Sequence, residues 1–260
     1  MSIAGGAGGG GIGGGPYAMI DASRGKFPAR TTIHKFGSNP AVGTTEVRIT
    51  SLGAAHTFLT AATTIRIKAG NAADTADGAG ARTITVQGLD ATGAEISETL
   101  TCNGGSAGAA GSKSFLRINR AWVATSGTYT GANTGDVVIE NSAGGTDLAH
   151  IAATRGQTLQ TVYTVPLGCE FTATGGHMTV ASGKTVAIRC YQRRSILTVG
   201  APFTARRIWY ESVGVAEPTQ MLLAAPLTFP ALTDVWATGI VTATTAAVSV
   251  VFGGILSTTA

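Results

Sequence analysis

Hydrophobic and polar residues alternate along much of this chain, most clearly between residues 81 and 123. In the segment 82–87, Ile84 and Val86 point to one side while threonine and glutamine point to the other, as in a half-buried strand. Residues 90–93, Asp-Ala-Thr-Gly, predict a turn, and residues 96–102 repeat the alternation. This stretch therefore predicts a β-hairpin with one apolar face, then a glycine-rich loop and a third strand over 115–123.

The same period of two recurs on both sides of this hairpin, with turn residues about every 10 positions and no helical period between them. Further strands are predicted at 47–52, 64–68, 137–140, 159–165, 178–180, 186–190, 207–211, 233–241 and 247–256. Ser182 and Gly183 have the composition of a two-residue hairpin turn between two of them. The pattern predicts an all-β protein with two consecutive β-sandwich or jelly-roll-like domains, 31–145 and 146–260.

An extended glycine-rich N-terminal arm, residues 1–30, is predicted ahead of these domains. Residues 1–15 are nearly all glycine and alanine, so they cannot bury enough surface to offset the entropy of ordering. Glycine lets a chain lie close against a neighbouring surface. We expect the arm to lie on a partner subunit; the alternative is a tail without fixed structure.

Composition and charge narrow the classes of partner. Only 12% of the residues are charged, and the 18 basic and 14 acidic side chains give a net charge of +4 without a basic cluster. A nucleic-acid partner is therefore not expected. No apolar run is close to the length of a membrane-spanning helix, and the N-terminus lacks the basic segment followed by an apolar segment of a signal peptide. A membrane partner is therefore not expected either. Arg24, Lys26, Arg30 and Lys35 are expected on a solvated or subunit-facing surface.

Motifs that could carry catalysis are weak. Residues 104–108 match the G-x-S-x-G string of serine hydrolases around Ser106, but no helix pattern follows, as a nucleophile elbow requires. Gly8, Gly10 and Gly13 match a dinucleotide fingerprint only because nearly every residue there is glycine. We predict no catalytic and no cofactor-binding residues, and no cofactor.

Metal sites and paired carboxylates are also weakly indicated. The histidines, His34, His56, His150 and His177, are scattered, so a zinc site is not expected. Asp74 and Asp77 could bind calcium in a loop, but a solvated turn is preferred. Glu95 with Glu98, or Glu211 with Glu217, are read as surface charge rather than as glycosidase pairs.

Other charged, sulfur-containing and aromatic residues have structural readings. Cys102, Cys169 and Cys190 are an odd number without C-x-x-C spacing, which favours buried thiols over disulfides. Glu98 and Arg120 interrupt apolar faces, and they form either a buried pair or two solvent-exposed edge positions. The tryptophans, Trp122, Trp209 and Trp236, could stack on sugars or fill cores.

The segment 70–123 resembles structural (virion) proteins of tailed bacteriophages, in a decoration or cement-like group. The matching residues are Asp74-Thr75, 78–83 (GAGART), 88–90 (GLD), 95–98, Asn103-Gly104 and 115–120 (FLRINR), continued by 156–158, 163–168 and more loosely by 233–235. The resemblance begins near residue 35 and excludes the arm. The usual Asn-Gly-Thr after the second strand is Asn-Gly-Gly here, at 103–105, with a longer loop.

The resemblance implies a non-enzymatic virion protein without catalytic residues. We expect a capsid decoration or cement protein on the capsid exterior, assembled as a homo-oligomer such as a trimer, that binds the major capsid protein or another virion protein and stabilises the lattice. One alternative is a tail, fibre-adaptor or receptor-binding component whose exposed aromatics, such as Tyr129, Trp209 or Trp236, contact a host glycan. A further alternative from another class is a hydrolase that uses Ser106 or a carboxylate pair.

Overall fold

The computed structural model describes residues 18–52 and 56–259, and in these ranges the chain is almost entirely β-structure. One short helix, α1 (Ala18–Ser23), precedes the strands. The strands of the first half are β1 (Arg30–Val42), β2 (Val47–Arg48), β3 (Thr63–Ala69), β4 (Ala81–Leu89), β5 (Glu95–Thr101), β6 (Ser114–Phe115), β7 (Arg117–Ser126), β8 (Val137–Asn141) and β9 (Asp147–Ile151). Those of the second half are β10 (Tyr163–Thr164), β11 (Cys169–Val180), β12 (Val186–Arg193), β13 (Arg207–Val215), β14 (Thr219–Met221), β15 (Leu227–Phe229), β16 (Asp234–Val241) and β17 (Ala246–Thr258). The predicted all-β class is confirmed.

Two five-stranded sheets enclose the larger of the two main apolar cores. One has the order β1-β17-β11-β14, with β15 also paired to β11, and the other has the order β10-β16-β12-β13, with β2 paired to β16. The larger core lies between them and contains Phe171, Phe229, Phe252 and Met178, all fully buried. Phe171 stacks on Phe229 with ring centroids 6.0 Å apart. Alternate residues of each strand supply this core, as the period of two predicts.

The smaller core lies between a four-stranded sheet, β6-β3-β8-β9, and a three-stranded sheet, β5-β4-β7. The predicted hairpin is present as β4 and β5, with Thr83 opposite Thr101 and Leu89 opposite Glu95. Its turn is organised by Asp90, whose Oδ1 accepts hydrogen bonds from the main-chain N–H of Thr92 (2.8 Å) and from other donors in the turn. An aspartate at this position stabilises the turn as the sequence predicts.

The strand pairing crosses the predicted division at residue 145. β1 pairs with β17 along its length, and β2 pairs with β16, although both come from the first predicted domain. Val42 and Ile49 are buried in the larger core with side chains from the C-terminal half of the chain. The division into domains 31–145 and 146–260 remains a prediction. The packing of the larger core does not follow it, because residues between 33 and 49 pack there with residues beyond 162.

The turn at Ser182 and Gly183 joins two sheets and does not form a hairpin. Gly183 has φ of 72°, as the turn requires, but β11 pairs with β17 while β12 pairs with β13 and β16. Met178 before the turn and Ile188 after it are both buried in the larger core. The hairpin prediction is therefore wrong here, because the two strands cover opposite sides of one core.

The predicted arm lies only partly within the described residues. Residues 1–17 fall outside them, and residues 18–23 form α1, where an extended chain was expected. Asp21 in this helix forms an ion pair with Lys26, with Oδ1 and Nζ 2.9 Å apart. This part of the arm prediction is wrong, because a local hydrogen-bonded turn closes before β1 begins.

Candidate functional site

A buried layer of polar residues, here called the polar seam, joins the sheets of the two cores. It consists of Lys35, Arg117, Asn119, Gln160, Thr164 and Asp234, each less than a tenth exposed. Asn119, on β7, donates from Nδ2 to the carbonyl of Thr164 (2.9 Å) and accepts the Thr164 N–H at Oδ1 (2.8 Å). Gln160 donates to the carbonyls of Ile118 and Asn119. The seam therefore fixes β7 against β10 and the segment before it.

Arg117 and Asp234 form the strongest contact of the seam. The guanidinium of Arg117 donates from Nε to Asp234 Oδ1 (2.9 Å) and from an Nη atom to Oδ2 (3.1 Å), and their side chains are 3% and 0% exposed. Thr164 donates its hydroxyl to the same carboxylate at 2.7 Å. A two-point contact between a guanidinium and a carboxylate fixes geometry as well as charge. This pair connects β7 with β16.

Lys35 is the exceptional member of the seam, because no carboxylate faces it. It is 7% exposed, and its ammonium donates to the carbonyl oxygen of Asn119 in a short contact. None of the ion pairs among residues 18–52 and 56–259 includes Lys35. Burial, with a smaller effect from the nearby Arg120 charge, lowers the pKa of Lys35 from 10.5 to about 7. The expectation of a solvated or subunit-facing Lys35 is wrong, since residues 33, 35, 37 and 39 of β1 face inward.

Lys35 lines an open cleft of about 390 Å³ between β1 and β7. The β1 wall consists of residues 32–36, and the opposite wall of residues 119–121, 157, 158 and 160. Arg120 lines the cleft with its guanidinium carbon 4.4 Å from the centroid of the Trp122 ring. Glu95 lies at the cleft too, where it accepts a hydrogen bond from Gln87 at 3.0 Å. The cleft is therefore lined by polar and apolar groups alike, and two cationic side chains, Lys35 and Arg120, line it against one carboxylate, Glu95.

Tyr163 supplies a further unused donor to this cleft. The residue is 4% exposed, its ring packs on Phe171, and its hydroxyl has no hydrogen-bond partner among the described residues. A buried hydroxyl without a partner is unfavourable. Burial, with a smaller effect from the Glu95 charge, raises the pKa of Tyr163 far above its usual range, so the group stays a neutral donor.

Beside the cleft, no strand of the described residues pairs with the edge of β1 that faces away from β17. Ser38 donates its main-chain N–H to the carbonyl of Leu159 (3.4 Å) on that side. Main-chain groups of successive strand residues point in opposite directions, so those of Thr32, His34 and Phe36 point to the same side as Ser38. β1 pairs only with β17 in the described part of the chain. An extended chain could therefore pair with β1 at the cleft.

A second exposed surface lies along 197–213 and is here called the edge surface. It contains five exposed apolar side chains: Leu197, Val199, Phe203, Ile208 and Val213. Val213 is 74% and Phe203 is 60% exposed. The last two of the five belong to β13, which pairs on one side with β12 and ends its sheet. Strand edges that end a sheet and exposed apolar side chains are both features of association surfaces.

Ser106 does not occupy a nucleophile elbow. It is exposed in a turn after β5, where its N–H donates to the carbonyl of Asn103 (3.3 Å). The next element is the strand β6, and the only helix of the described residues is α1. The strand, turn and helix that expose a catalytic serine are therefore missing around Ser106. Gly8, Gly10 and Gly13 lie outside the described residues.

The predicted metal candidates are separate from one another. Among the described residues no cluster of three or more histidine, cysteine or carboxylate side chains could hold a metal ion. His34 and His177 are exposed, and His56 is buried. The Nε2 atom of His150 lies 3.6 Å from Oδ1 of Asp136. Burial lowers the pKa of His56 to about 3, because its charged form would be desolvated beside Arg48 and Arg117.

Asp74 is a structural residue and not part of a solvated turn. It is fully buried, and its carboxylate accepts the main-chain N–H groups of Ala81, Thr134 and Gly135 at 2.7 to 2.8 Å. These bonds hold the loop before β4 against the loop before β8. Asp77, by contrast, is exposed.

The carboxylates proposed as pairs have separate partners. Glu98 accepts hydrogen bonds from the Ser112 N–H (2.7 Å), the Ser112 hydroxyl and the Lys113 N–H, and it does not pair with Arg120. β5 is an edge strand, and Arg120 is exposed, which matches the edge-position reading. Glu211 pairs with Arg189, with Oε1 and Nε 2.6 Å apart.

Two of the three aromatics proposed for glycan contact are not exposed. Trp236 is 4% exposed and stacks on Tyr191, and Trp209 is half-buried, with its Nε1 donating to the Tyr191 carbonyl at 3.1 Å. The expected exposure of Trp236 is wrong, because all but one residue of β16 point into packed surroundings. Tyr129 is 96% exposed.

All three cysteines are free thiols. Cys102 and Cys190 are buried, as expected, whereas Cys169 is half-buried. Burial raises the pKa of Cys102 to about 11, with a smaller effect from the Asp74 charge, which makes this thiol a poor nucleophile.

The cleft is the feature that the sequence does not indicate. Residues 33, 35, 37 and 39 of β1 face inward, and they read Ile-Lys-Gly-Asn, while the outward residues 32, 34, 36 and 38 read Thr-His-Phe-Ser. Apolar residues occur on both faces, so hydrophobic alternation gives no direction for Lys35. The sequence offers one signal of a buried polar face: Lys35 shares a strand face with Gly37 and Asn39.

Comparisons with known proteins add little. No protein-family model and no curated protein matches the chain. Among solved structures, the crystal structure of the infectious bursal disease virus VP2 subviral particle aligns at 10% identity, over 89% of this chain and 77% of that chain, with a TM-score of 0.18. A TM-score this low carries no argument about fold or function. In the described residues no helix has the length and apolar character to cross a membrane.

Proposed function

We propose that the protein is a non-enzymatic structural component of a bacteriophage particle: a capsid decoration or cement protein that forms a homo-oligomer on the capsid exterior, binds the major capsid protein and stabilises the lattice. The observation that carries this proposal is the edge surface: β13 ends its sheet, and the segment 197–213 that contains most of it carries five exposed apolar side chains. The resemblance of residues 70–123 to phage virion proteins supports the same role.

The edge surface fits association between subunits for a physical reason. Exposed apolar area and free main-chain groups both become buried when a second chain pairs with β13. Phe203 and Val213 are the most exposed of the five side chains and should contribute most of the apolar burial. A symmetric oligomer can use this surface in every subunit.

The oligomeric state of the purified protein tests this role of the edge surface. We expect a defined oligomer in sedimentation velocity, and we expect Val213→Lys and Phe203→Asp to shift it to monomer. Tyr129→Lys is the matched control, since Tyr129 is 96% exposed outside the edge surface and should leave the oligomer unchanged. A monomeric wild-type protein would contradict the self-association part of the proposal.

Cryo-electron microscopy of the parent particle tests the location. A decoration protein should occur in numbers comparable with the capsid protein and lie on the outer surface of the shell. A few copies confined to the tail would refute it.

A tail or receptor-binding role is the second candidate, and Tyr129 is the observation that favours it. An aromatic ring that is 96% exposed can stack on a sugar ring. This role predicts binding to host-cell envelope that Tyr129→Ala removes. Unchanged binding in that variant would exclude Tyr129 as the contact.

A further inference from the structure

We propose that the cleft between β1 and β7 binds an extended, carboxylate-bearing segment of a partner protein, which pairs with the free edge of β1 and places its carboxylate against Lys35. The inference depends on the proposed function for the statement that the partner is another protein of the particle. The chemistry of the segment follows from the cleft itself.

The charge of the cleft calls for an anion. The Lys35 ammonium has three N–H donors, and in the described structure only the carbonyl of Asn119 accepts one of them. Arg120 lines the same cleft and forms no ion pair with any described residue. Glu95 is held by Gln87 and pairs with neither cation. A carboxylate entering the cleft would supply the missing opposite charge.

A buried hydroxyl points to the same ligand. Tyr163 is 4% exposed, lines the cleft and leaves its hydroxyl without a partner among residues 18–52 and 56–259. A carboxylate accepts hydrogen bonds from both an ammonium and a hydroxyl, so it is a suitable partner for Lys35 and for Tyr163.

The free main-chain groups of β1 specify the shape of the ligand. By their alternation with the residues bonded to β17, Thr32, His34 and Phe36 direct their N–H and C=O groups away from β17, and no other strand of the described residues pairs with β1 there. Only an extended chain can pair with such a row. A free carboxylate or a small anion would leave these groups to water, so a peptide segment fits the whole cleft better.

Binding of two synthetic peptides tests the inference. The first is a terminally blocked heptapeptide of alternating threonine and valine with a central glutamate, and the second has glutamine in place of the glutamate. We expect the glutamate peptide to bind the full-length protein at least about tenfold more tightly in calorimetry, because a hydrogen bond to a charged group is worth that much. Amide hydrogen exchange at His34 and Phe36 should slow when it binds.

Variants of the cleft make the test specific. We expect Lys35→Met to remove the preference for glutamate, and Tyr163→Phe, which deletes only the hydroxyl, to weaken binding of the glutamate peptide. Lys68→Met is the matched control, since Lys68 is an exposed lysine on β3 in another sheet. Thermal unfolding of each variant confirms that it is folded.

Four results would overturn the inference, three of them from the peptide measurements. They are equal binding of the two peptides, a preference that persists in Lys35→Met, and absence of binding by the glutamate peptide at millimolar concentration. Loss of self-association in Lys35→Met without peptide binding would also overturn it, because the occupant would then be a second copy of this chain. The peptide test needs no particle and no edge surface, so its failure and a failure of the proposed function are distinguishable.

Discussion

Replacing Lys35 by methionine should stabilise the protein at neutral and acidic pH. A methionine side chain keeps much of the volume of the lysine stem and removes a charge that is 7% exposed without a carboxylate partner. The carbonyl of Asn119, which Lys35 contacts, still accepts a hydrogen bond from Gln160 Nε2 at 3.2 Å. The substitution therefore leaves no buried acceptor without a donor.

The magnitude follows from the lowered pKa of Lys35. The fall from 10.5 to about 7 corresponds to an upper limit of about 5 kcal/mol of unfavourable free energy for the charged form, at about 1.36 kcal/mol per pKa unit. Buried ions replaced by apolar side chains have gained about 1–4 kcal/mol in other proteins. We expect Lys35→Met to raise the free energy of unfolding at pH 6 by about 2–4 kcal/mol.

The pH dependence of the wild-type stability is a second test of whether the buried Lys35 charge is destabilising. Below pH 7 the lysine is protonated in both the folded and the unfolded chain, so its full cost is present. Between pH 7 and 10.5 the unfolded chain binds more protons than the folded chain, so the stability of the wild type rises with pH. From pH 7 to 8.5 this rise is about 2 kcal/mol at most.

Urea unfolding followed by tryptophan fluorescence at pH 6, 7 and 8.5 measures both effects. The wild type should approach Lys35→Met in stability as the pH rises, whereas Lys68→Met should follow the wild type at every pH. Parallel pH profiles for wild type and Lys35→Met, or a variant less stable than the wild type at pH 6, would refute the reasoning about Lys35.

Three further substitutions test other parts of the fold by the same unfolding assay. Gly37→Ala should destabilise the protein by about 2 kcal/mol or more, because its added methyl group would lie 2.4 Å from the main-chain oxygen of Ile49. Gly43→Ala is the control: no atom lies within 4 Å of its added methyl group, so it should be neutral or slightly stabilising, and equal effects of the two substitutions would refute the close approach at Gly37. Asp234→Asn should cost about 3–5 kcal/mol by leaving Arg117 buried without its counter-charge; a loss below about 1 kcal/mol would contradict this role. His56→Phe should lessen the loss of stability between pH 6.5 and 4, because the unfolded wild type binds a proton there that the folded chain, with a His56 pKa of about 3, does not; an unchanged acid profile would contradict it.

Local sequence signals predict the hairpin of the smaller core well. β4 and β5 alternate over most of their length, and Asp90 supplies the side-chain acceptor that a tight turn uses. Both strands are neighbours in sequence, so periodicity and turn chemistry are sufficient to pair them. The same signals fail at Ser182 and Gly183, because a turn that joins two sheets has the same local composition as a hairpin turn.

Long-range pairing is what the sequence does not reveal. β1 pairs with β17, with Arg30 opposite Ser257, and no local pattern connects two strands so far apart. The burial of Lys35 depends on that pairing and on the position of β7 across the cleft. Arg117 and Asp234 likewise meet only because the two cores pack together. The candidate site is therefore a product of tertiary structure, and its residues look like ordinary strand residues in the sequence.

Removing the charge of Asp234 should lower the free energy of unfolding, whereas removing the charge of Lys35 should raise it. This contrast distinguishes a structural role for Asp234 from a binding role for Lys35. Asp234 is matched by Arg117 and by the Thr164 hydroxyl, so its removal exposes a cost that the pair had offset. Lys35 has no carboxylate partner among the described residues, so its replacement removes an unfavourable desolvation free energy from the folded state. A charge that lowers the stability of the isolated fold is most simply explained by a ligand that supplies the opposite charge on binding. If both removals destabilised the protein equally, Lys35 would belong to the structural seam and the cleft would lose its main argument as a binding site.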